Sequence, residues 1–232
     1  MTTQATSITT GNSRFSKIFT DSSTDGVWSG NVLTDTISTQ SIGILIPNAT
    51  LTFVQPEYES GLMAWRLQNA QTLAVSRFGF AARVGQNSKV MIAPVRVNPN
   101  DILVAYPLAV DATANKTNTL AWVSTSKGIE LFEALAVADS TATEMKTAVN
   151  NQTLGDAFFN STLGAISVQI EDGATLDRVE IVDNMGGVQM TLQGQVRGAT
   201  PSSRSNYVNL ECGDLAVPIG KGFRLNIVTV SE

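Results

Sequence analysis

The sequence predicts a mainly β protein whose body is a β-sandwich or is barrel-like. Short apolar segments, many of them alternating apolar and polar residues, recur along the chain with turn residues between them, which is typical of about ten or eleven short strands. Only 15% of the residues are charged, so Ser, Thr, Asn and Gln supply the polar surface, and their short side chains compete with backbone hydrogen bonds inside helices. A helical pattern is confined to one short central segment.

The predicted strands form an earlier and a later group along the chain. The earlier group begins with the apolar run Ile42–Ile46, which ends at a turn signal. In the segment 89–97 of this group, Pro94 favours an edge strand or a bulge. The other strands of the earlier group cover 51–55, 72–84, 89–97, 102–110 and 119–124. The later group covers 165–171, 176–183, 188–196, 206–211 and 222–230. In this group, residues 184–187 (NMGG) predict a hairpin turn.

A helical segment around residues 128–150 is predicted between the two groups. Residues 128–137 (GIELFEALAV) combine strong helix formers with an apolar face. Thr141 and Glu144 have the spacing of a capping box, in which two side chains satisfy the first free amides of a helix. The β-rich body at 41–232 is therefore expected to be one unit, or two β halves at about 41–126 and 163–232 that this segment links.

Residues 1–40 are predicted to be an extended N-terminal arm. They begin with a polar run, TTQATSITTGNS, that has neither helical nor strand periodicity. The apolar residues that follow are too sparse to form a core, but an arm could place them in pockets of a neighbouring subunit by strand addition. The candidate partner-binding residues are Phe15, Ile18, Phe19, Val27 and Trp28. The alternative is a first edge strand of the body, preceded by a frayed terminus.

The residue inventory argues against an enzyme. The chain has no histidine, which excludes the commonest general base and metal ligand and every triad that needs an imidazole. Its one cysteine, Cys212, can form neither an internal disulfide nor a thiolate zinc site. Motifs for phosphate or dinucleotide binding and the GxSxG nucleophile motif are absent. We therefore predict no catalytic residue, no cofactor-binding residue, no metal ligand and no cofactor.

Carboxylate pairs are the remaining candidates for chemistry, because glycoside hydrolysis uses two of them. The acidic residues considered are Asp21, Asp25, Glu57, Glu59, Glu171, Asp172, Asp177, Glu180 and Asp183. Nearly all of them lie beside turn residues or on the polar face of an alternating strand, where solvated surface is the expected role. Glu57 and Glu59 have Trp65 near them, which a carbohydrate site could use for stacking. The oxygen-rich stretch at 21–26 departs from the EF-hand calcium pattern, and turn chemistry explains it.

Charge and hydropathy limit the partners and the compartment. The formal net charge is −5, and no run of Lys or Arg forms the basic face expected of a protein that lines nucleic acid. Residues 1–13 are polar and lack the apolar core of an export signal. No stretch reaches the roughly 18–20 apolar residues of a membrane span. We therefore expect synthesis in a cytoplasm, and neither a nucleic-acid nor a membrane partner.

Three parts of the chain together have the design of a known class of protein. They are the polar N-terminal arm TTQATSITTGNSRFSKIFT, the β-rich stretch IPNATLTFVQPEYESGLMAWRLQNAQTLAVSRFGFAARV and the closing strand IGKGFRLNIVTV. The chain also has a low content of charged residues with an acidic net charge, no histidine and no disulfide. In this design the whole chain resembles the decoration, or cement, proteins that bind the outside of tailed-bacteriophage heads.

The resemblance implies a structural virion protein that binds the major capsid protein on the outer capsid surface. Such a protein is expected to be a homotrimer made in the host cytoplasm, and to stabilise the head by bridging capsomers. A phage tail or fibre subunit is an alternative, although fibres tend to carry repeats or a coiled-coil stalk, which this sequence lacks. A carbohydrate-binding module, with exposed aromatic residues, is a further alternative. A glycoside hydrolase acting through Glu57 or Glu59 is the fourth.

Overall fold

The computed structural model confirms a mainly β protein in which strands dominate the chain. It describes residues 2–10, 13–20, 26, 28, 34–35, 50–55, 57–58, 61–80, 82–83, 90–109, 113, 115–171, 174–197 and 207–231. For residues 2–20, 34–35, 52–58, 82–83, 90–93, 194–197, 207–209, 211, 214 and 231, the description within these ranges is of the backbone path alone. The chain divides into two units, Met1–Ala109 and Val110–Glu232.

The described part of the first unit contains ten strands. They are β1 (Thr2–Thr10), β2 (Ser13–Thr20), β3 (Thr34–Asp35), β4 (Thr50–Gln55), β5 (Glu57–Tyr58), β6 (Leu62–Asn69), β7 (Val75–Phe80), β8 (Ala82–Arg83), β9 (Val90–Arg96) and β10 (Asp101–Leu108). A five-stranded sheet has the order β3-β2-β1-β4-β9, and a three-stranded sheet has the order β10-β6-β7. The short strands β5 and β8 pair in parallel. Among the described strands of this unit, the two that contain proline, β9 and β10, lie at sheet edges, which confirms the edge position predicted from Pro94.

The predicted N-terminal arm contains a β-hairpin. β1 pairs antiparallel with β2 and, along its other edge, with β4 of the same chain. Of the predicted partner-binding residues, Phe15, Ile18 and Phe19 lie in β2, and Val27 lies outside the described residues. The predicted strand Ile42–Ile46 also lies outside them. A contact between this hairpin and a neighbouring subunit stays a prediction.

The three-stranded sheet supplies much of the buried surface of the first unit. Most side chains of β6 and all those of β10 are buried, on both faces of the strands. A strand covered on both faces shows little alternation, which explains why alternation in the sequence does not reveal β6. The Trp65 ring lies 3.0 Å from where a Cβ on Gly79 would be, and its Nε1 donates a 3.2 Å hydrogen bond to the Phe80 carbonyl. The missing side chain of Gly79 thus makes room for the indole.

The described part of the second unit contains nine strands, one α-helix and one 3-10 helix. The strands are β11 (Lys116–Thr125), β12 (Gly128–Ala138), β13 (Thr143–Thr147), β14 (Ser161–Ile170), β15 (Ala174–Val182), β16 (Val188–Arg197), β17 (Tyr207–Glu211), β18 (Pro218–Ile219) and β19 (Arg224–Ser231). Helix α1 spans Leu154–Phe158, and the 3-10 helix spans Gly213–Leu215. Eight strands form one sheet in the order β16-β15-β19-β13-β12-β11-β14-β17, which curls into a half-barrel, and β18 pairs with the start of β14.

One face of this sheet holds the hydrophobic core of the second unit. Its largest members include Phe132, Met145 and Leu225 from the strands, together with Leu154 and Phe158 from α1. The rings of Phe132 and Phe158 are stacked with their centroids 6.3 Å apart. Neighbouring residues on the central strands, Leu120, Trp122 and Leu131, alternate with core residues and are buried as well. The central strands are therefore covered on both faces.

The predicted helical segment around 128–150 is wrong, because β12 and β13 occupy most of it. β11 and β12 form a hairpin in which Thr125 pairs with Gly128 across a two-residue turn. Thr125 Oγ1 accepts a 3.1 Å hydrogen bond from the amide of Lys127 and donates a 3.2 Å bond to the carbonyl of Gly128. Apart from Gly and Pro, helix propensities differ by at most about 0.7 kcal/mol per residue, and pairing with two neighbouring strands outweighs them.

The capping box predicted at Thr141 and Glu144 starts no helix, since Glu144 lies within β13. The helix begins later, with Thr153 as its N-cap. Thr153 Oγ1 accepts a 3.2 Å hydrogen bond from the amide of Asp156 and donates a 2.8 Å bond to its carboxylate. The division of the chain into units also differs from the two predicted β halves. β11 pairs with β14, and therefore belongs with the later strands.

Candidate partner-binding surface

Trp28 is the one predicted partner-binding residue whose side chain is described, and it packs within its own chain. Its ring centroid lies 5.3 Å from that of Tyr106 in β10, and the guanidinium carbon of Arg66 in β6 lies 4.0 Å from the Trp28 ring centroid. The amide of Gly26 donates a 2.8 Å hydrogen bond to the carbonyl of Pro107. Aromatic and cation–π contacts of this kind contribute about 0.5–2 kcal/mol each. Residues 26 and 28 are therefore attached to the three-stranded sheet.

Several of the acidic residues considered for catalysis are engaged in local structure. Arg178 in β15 binds the carboxylate of Glu180 at 2.6 Å and also that of Asp177. These two carboxylates, Glu180 first, raise the pKa of Arg178, and both acids are therefore engaged in ion pairs with Arg178. Trp65, proposed above as a stacking aromatic for Glu57 and Glu59, is buried and cannot meet a sugar.

The structure describes few of the remaining acidic side chains. Glu171 is buried, and only the backbone of Glu57 is described. Asp21, Asp25, Glu59 and Asp172 lie outside the described residues. In the described part of the chain, no group of three or more Asp, Glu or Cys side chains is placed to hold a metal ion.

Four connections share one end of the second sheet, because its strands are antiparallel. β11, β13, β15 and β17 finish at this end, and β12, β14, β16 and β19 begin there. The connections are residues 126–127, 148–160, 183–187 and 212–223. We call these four connections, with the strand residues directly next to them, the loop end.

The loop end exposes large apolar side chains. Their exposed fractions are 90% for Met185, 59% for Leu215, 57% for Val149, 53% for Phe159 and 53% for Val188. In the rest of the described second unit, the exposed large apolar residues are Leu135 and Val230, which lie toward the opposite ends of their strands. An isolated exposed apolar residue is ordinary. Five of them at one end of a sheet mark a candidate interaction surface.

Asp183 organises the turn that carries Met185. Its Oδ1 accepts hydrogen bonds from the amides of Met185 and Gly187, both at 2.8 Å, and its Oδ2 accepts a 2.7 Å bond from Nε2 of Gln189. Gly186 has a φ of 89°, in the left-handed region that favours glycine. The bonds from Gly187 and then Met185 lower the pKa of Asp183, because they favour the ionised carboxylate.

The other connections of the loop end are hydrogen-bonded to one another. Lys127 Nζ donates a 2.5 Å hydrogen bond to the carbonyl of Phe159. The amide of Asn160 donates a 3.0 Å bond to the carbonyl of Ile219, and the amide of Gly155 donates a 2.7 Å bond to that of Phe223. These bonds join three of the four connections, so Val149, Phe159 and Leu215 belong to connections that are bonded to one another.

The sequence alone predicts only part of the loop end. The NMGG turn was predicted at the right place, but the role of Asp183 was missed. The signal was an Asp directly before the turn, since Asp side chains commonly accept hydrogen bonds from amides two residues further on. The grouping of Val149, Phe159 and Leu215 with Met185 depends on strand order, for which the sequence offers no local signal.

Comparisons with known proteins do not assign this surface. No family model, no curated protein and no solved structure matched the chain. Among the described residues, no helix is long and apolar enough to cross a membrane.

Proposed function

We propose that this chain is a structural virion protein that decorates the outer surface of a viral head and stabilises it by bridging capsomers. The observation that carries this proposal is the loop end, where five large apolar side chains are exposed on one β unit. A decoration protein needs such a surface, because each Å² of apolar area that binding removes from water is worth about 25 cal/mol before the costs of association. The low fraction of charged residues, 15%, and the net charge of −5 fit an exterior position.

Bridging capsomers requires more than one contact surface. We assign one contact to the loop end and a second to the N-terminal hairpin, in which β2 carries Phe15, Ile18 and Phe19. In this proposal the protein is a homotrimer, because closed symmetry matches a symmetry axis of the capsid lattice. Its partner is the major capsid protein, and it is made in the host cytoplasm before it joins the virion.

Binding to heads tests the proposal. Purified protein is mixed with DNA-filled heads of the encoding virus from which this protein is missing, and the mixture is sedimented. We expect saturable binding with a fixed number of copies per head, and a higher temperature for release of the DNA. Absence of binding at micromolar protein would contradict the proposal. Light scattering on the free protein should give the mass of three chains.

A labelled antibody distinguishes the head from the tail. In electron micrographs of intact particles, the proposal expects label over the outside of the head. Label confined to the tail or its fibres would support the alternative of a tail or fibre subunit. The same antibody on particles lacking the protein provides the control.

A further inference from the structure

We propose that Met185 is a preformed knob that enters an apolar, uncharged pocket of a protein partner, and that Asp183 is the residue that positions it. The inference rests on the proposed function, because that function identifies the partner as the capsid surface. The knob itself is defined by residues of the second unit alone.

The exposure of Met185 has no explanation in the folding of the chain. Its side chain is 90% exposed, so it contributes almost nothing to the core. Hairpin tips favour Gly, Asn and Asp, which adopt the turn conformation and face water without cost. A long, adaptable thioether side chain at such a tip is suited to filling an apolar pocket of a partner. Val188, in the same hairpin and half exposed, extends the apolar contact.

The turn beneath Met185 is held in one conformation before any partner binds. Asp183 accepts hydrogen bonds from the amides of Met185 and Gly187, and the Asp183 amide donates a 2.9 Å bond back to the Gly187 carbonyl. Ordering a flexible loop on binding reduces affinity, and an already ordered turn avoids that loss. Asp183 is therefore a positioning residue, which acts through the backbone of Met185 without contacting the partner.

The charges of the loop end indicate a protein pocket rather than a membrane or a nucleic acid. The loop end contains three basic residues, Lys127, Lys221 and Arg224, and four acidic ones, Asp156, Asp183, Glu211 and Asp214. The carboxylates of Asp156 and Asp183 are bonded within their own turns. Anionic lipid and nucleic acid both select clusters of Lys and Arg. A nearly neutral surface with apolar knobs matches an uncharged apolar pocket, and its binding should depend little on salt.

The experiment measures the affinity of the full-length protein for heads that lack it, at low and at high salt. Met185→Ser is expected to weaken binding about tenfold or more, as loss of a buried anchor does. The matched control is Leu135→Ser, which removes an apolar side chain that is 54% exposed and lies away from the loop end. We expect that variant to bind within about twofold of the unchanged protein.

The role of Asp183 is tested by two variants and a double mutant. Asp183→Ala should weaken binding several-fold, and Asp183→Asn should restore most of the affinity, since its amide oxygen can still accept the backbone bonds. In the Met185→Ser background, Asp183→Ala should have no further effect, because the knob it positions is gone. Equal losses from Asp183→Ala in both backgrounds would overturn the positioning role.

The outcomes separate this inference from the proposed function. Binding of the unchanged protein to heads, with Met185→Ser binding equally well, would overturn the knob and leave the proposed function standing. Failure of the unchanged protein to bind heads would overturn both. Vesicles of 30% phosphatidylserine are the membrane probe, and light scattering over a range of concentrations reports self-association. A loss of vesicle binding or of self-association in Met185→Ser would overturn the assignment to a capsid pocket.

Discussion

At the scale of single residues, Gly155 sets how closely α1 approaches the last connection of the second unit. A Cβ at this position would lie 2.5 Å from the carbonyl oxygen of Gly220 and from the amide nitrogen of Phe223. Both are backbone atoms, which cannot rotate away. We therefore expect Gly155→Ala to lower the free energy of unfolding by about 1–3 kcal/mol, as measured by urea denaturation. Gly213→Ala is the control, because its Cβ would lie 3.9 Å from the nearest atom. Similar losses in the two variants would contradict this account.

Also at the residue scale, Asp183 makes stability depend on pH. Its pKa in the folded protein lies below the ordinary value, because the amides of Gly187 and then Met185 bond to the ionised carboxylate. A lowered pKa contributes stability above the unfolded pKa, and this contribution is lost as the pH falls through the folded pKa. The loss of stability caused by Asp183→Ala should therefore be full near pH 7 and should shrink below about pH 4. Urea denaturation at a series of pH values measures it, and a constant difference down to acid pH would exclude this role.

At the scale of elements, the Thr-x-x-acid motifs that begin at Thr141 and Thr153 have different roles. Thr153 caps α1 through the amide and the carboxylate of Asp156, whereas Thr141 Oγ1 donates to the carbonyl of Asp139 in an exposed turn. We expect Thr153→Ala to cost about 1 kcal/mol of unfolding free energy. Thr141→Ala should change it by less than about 0.5 kcal/mol. Thermal or urea unfolding of both variants checks the difference, and an equal or larger loss at Thr141 would argue that the turn, not the cap, matters.

The elements also show where sequence reasoning succeeds. β15 and the start of β16 alternate in burial along their length, and alternation in the sequence located both strands. β6 is buried on both faces and shows no alternation. β12 consists largely of helix-forming residues, but it is a strand because it pairs with β11 and β13. Alternation in the sequence therefore reveals a strand only where one face is buried and the other is exposed. It does not reveal a strand that is covered on both faces.

At the scale of the whole molecule, the candidate site is a product of strand order. Met185, Phe159 and Leu215 belong to connections far apart in the sequence, and antiparallel pairing brings these connections to one end of the second sheet. The sequence predicted the turn at 184–187, but the pairing partners of β14 and β19 are set by long-range contacts. For the same reason the sequence placed β11 with the earlier strands, although its ladders join it to β12 and β14.

The division into two units leads to a prediction about the isolated second unit. All the strands of its large sheet lie within 116–231, and one core of strand residues and α1 fills one face. A unit with its own core can fold alone, so we expect residues 110–232 to unfold in one cooperative transition with urea. Gly155→Ala acts entirely within this unit and should cost the same free energy there as in the full chain. A gradual transition, or a Gly155→Ala effect that disappears in the isolated unit, would show that the core needs residues 1–109 to form.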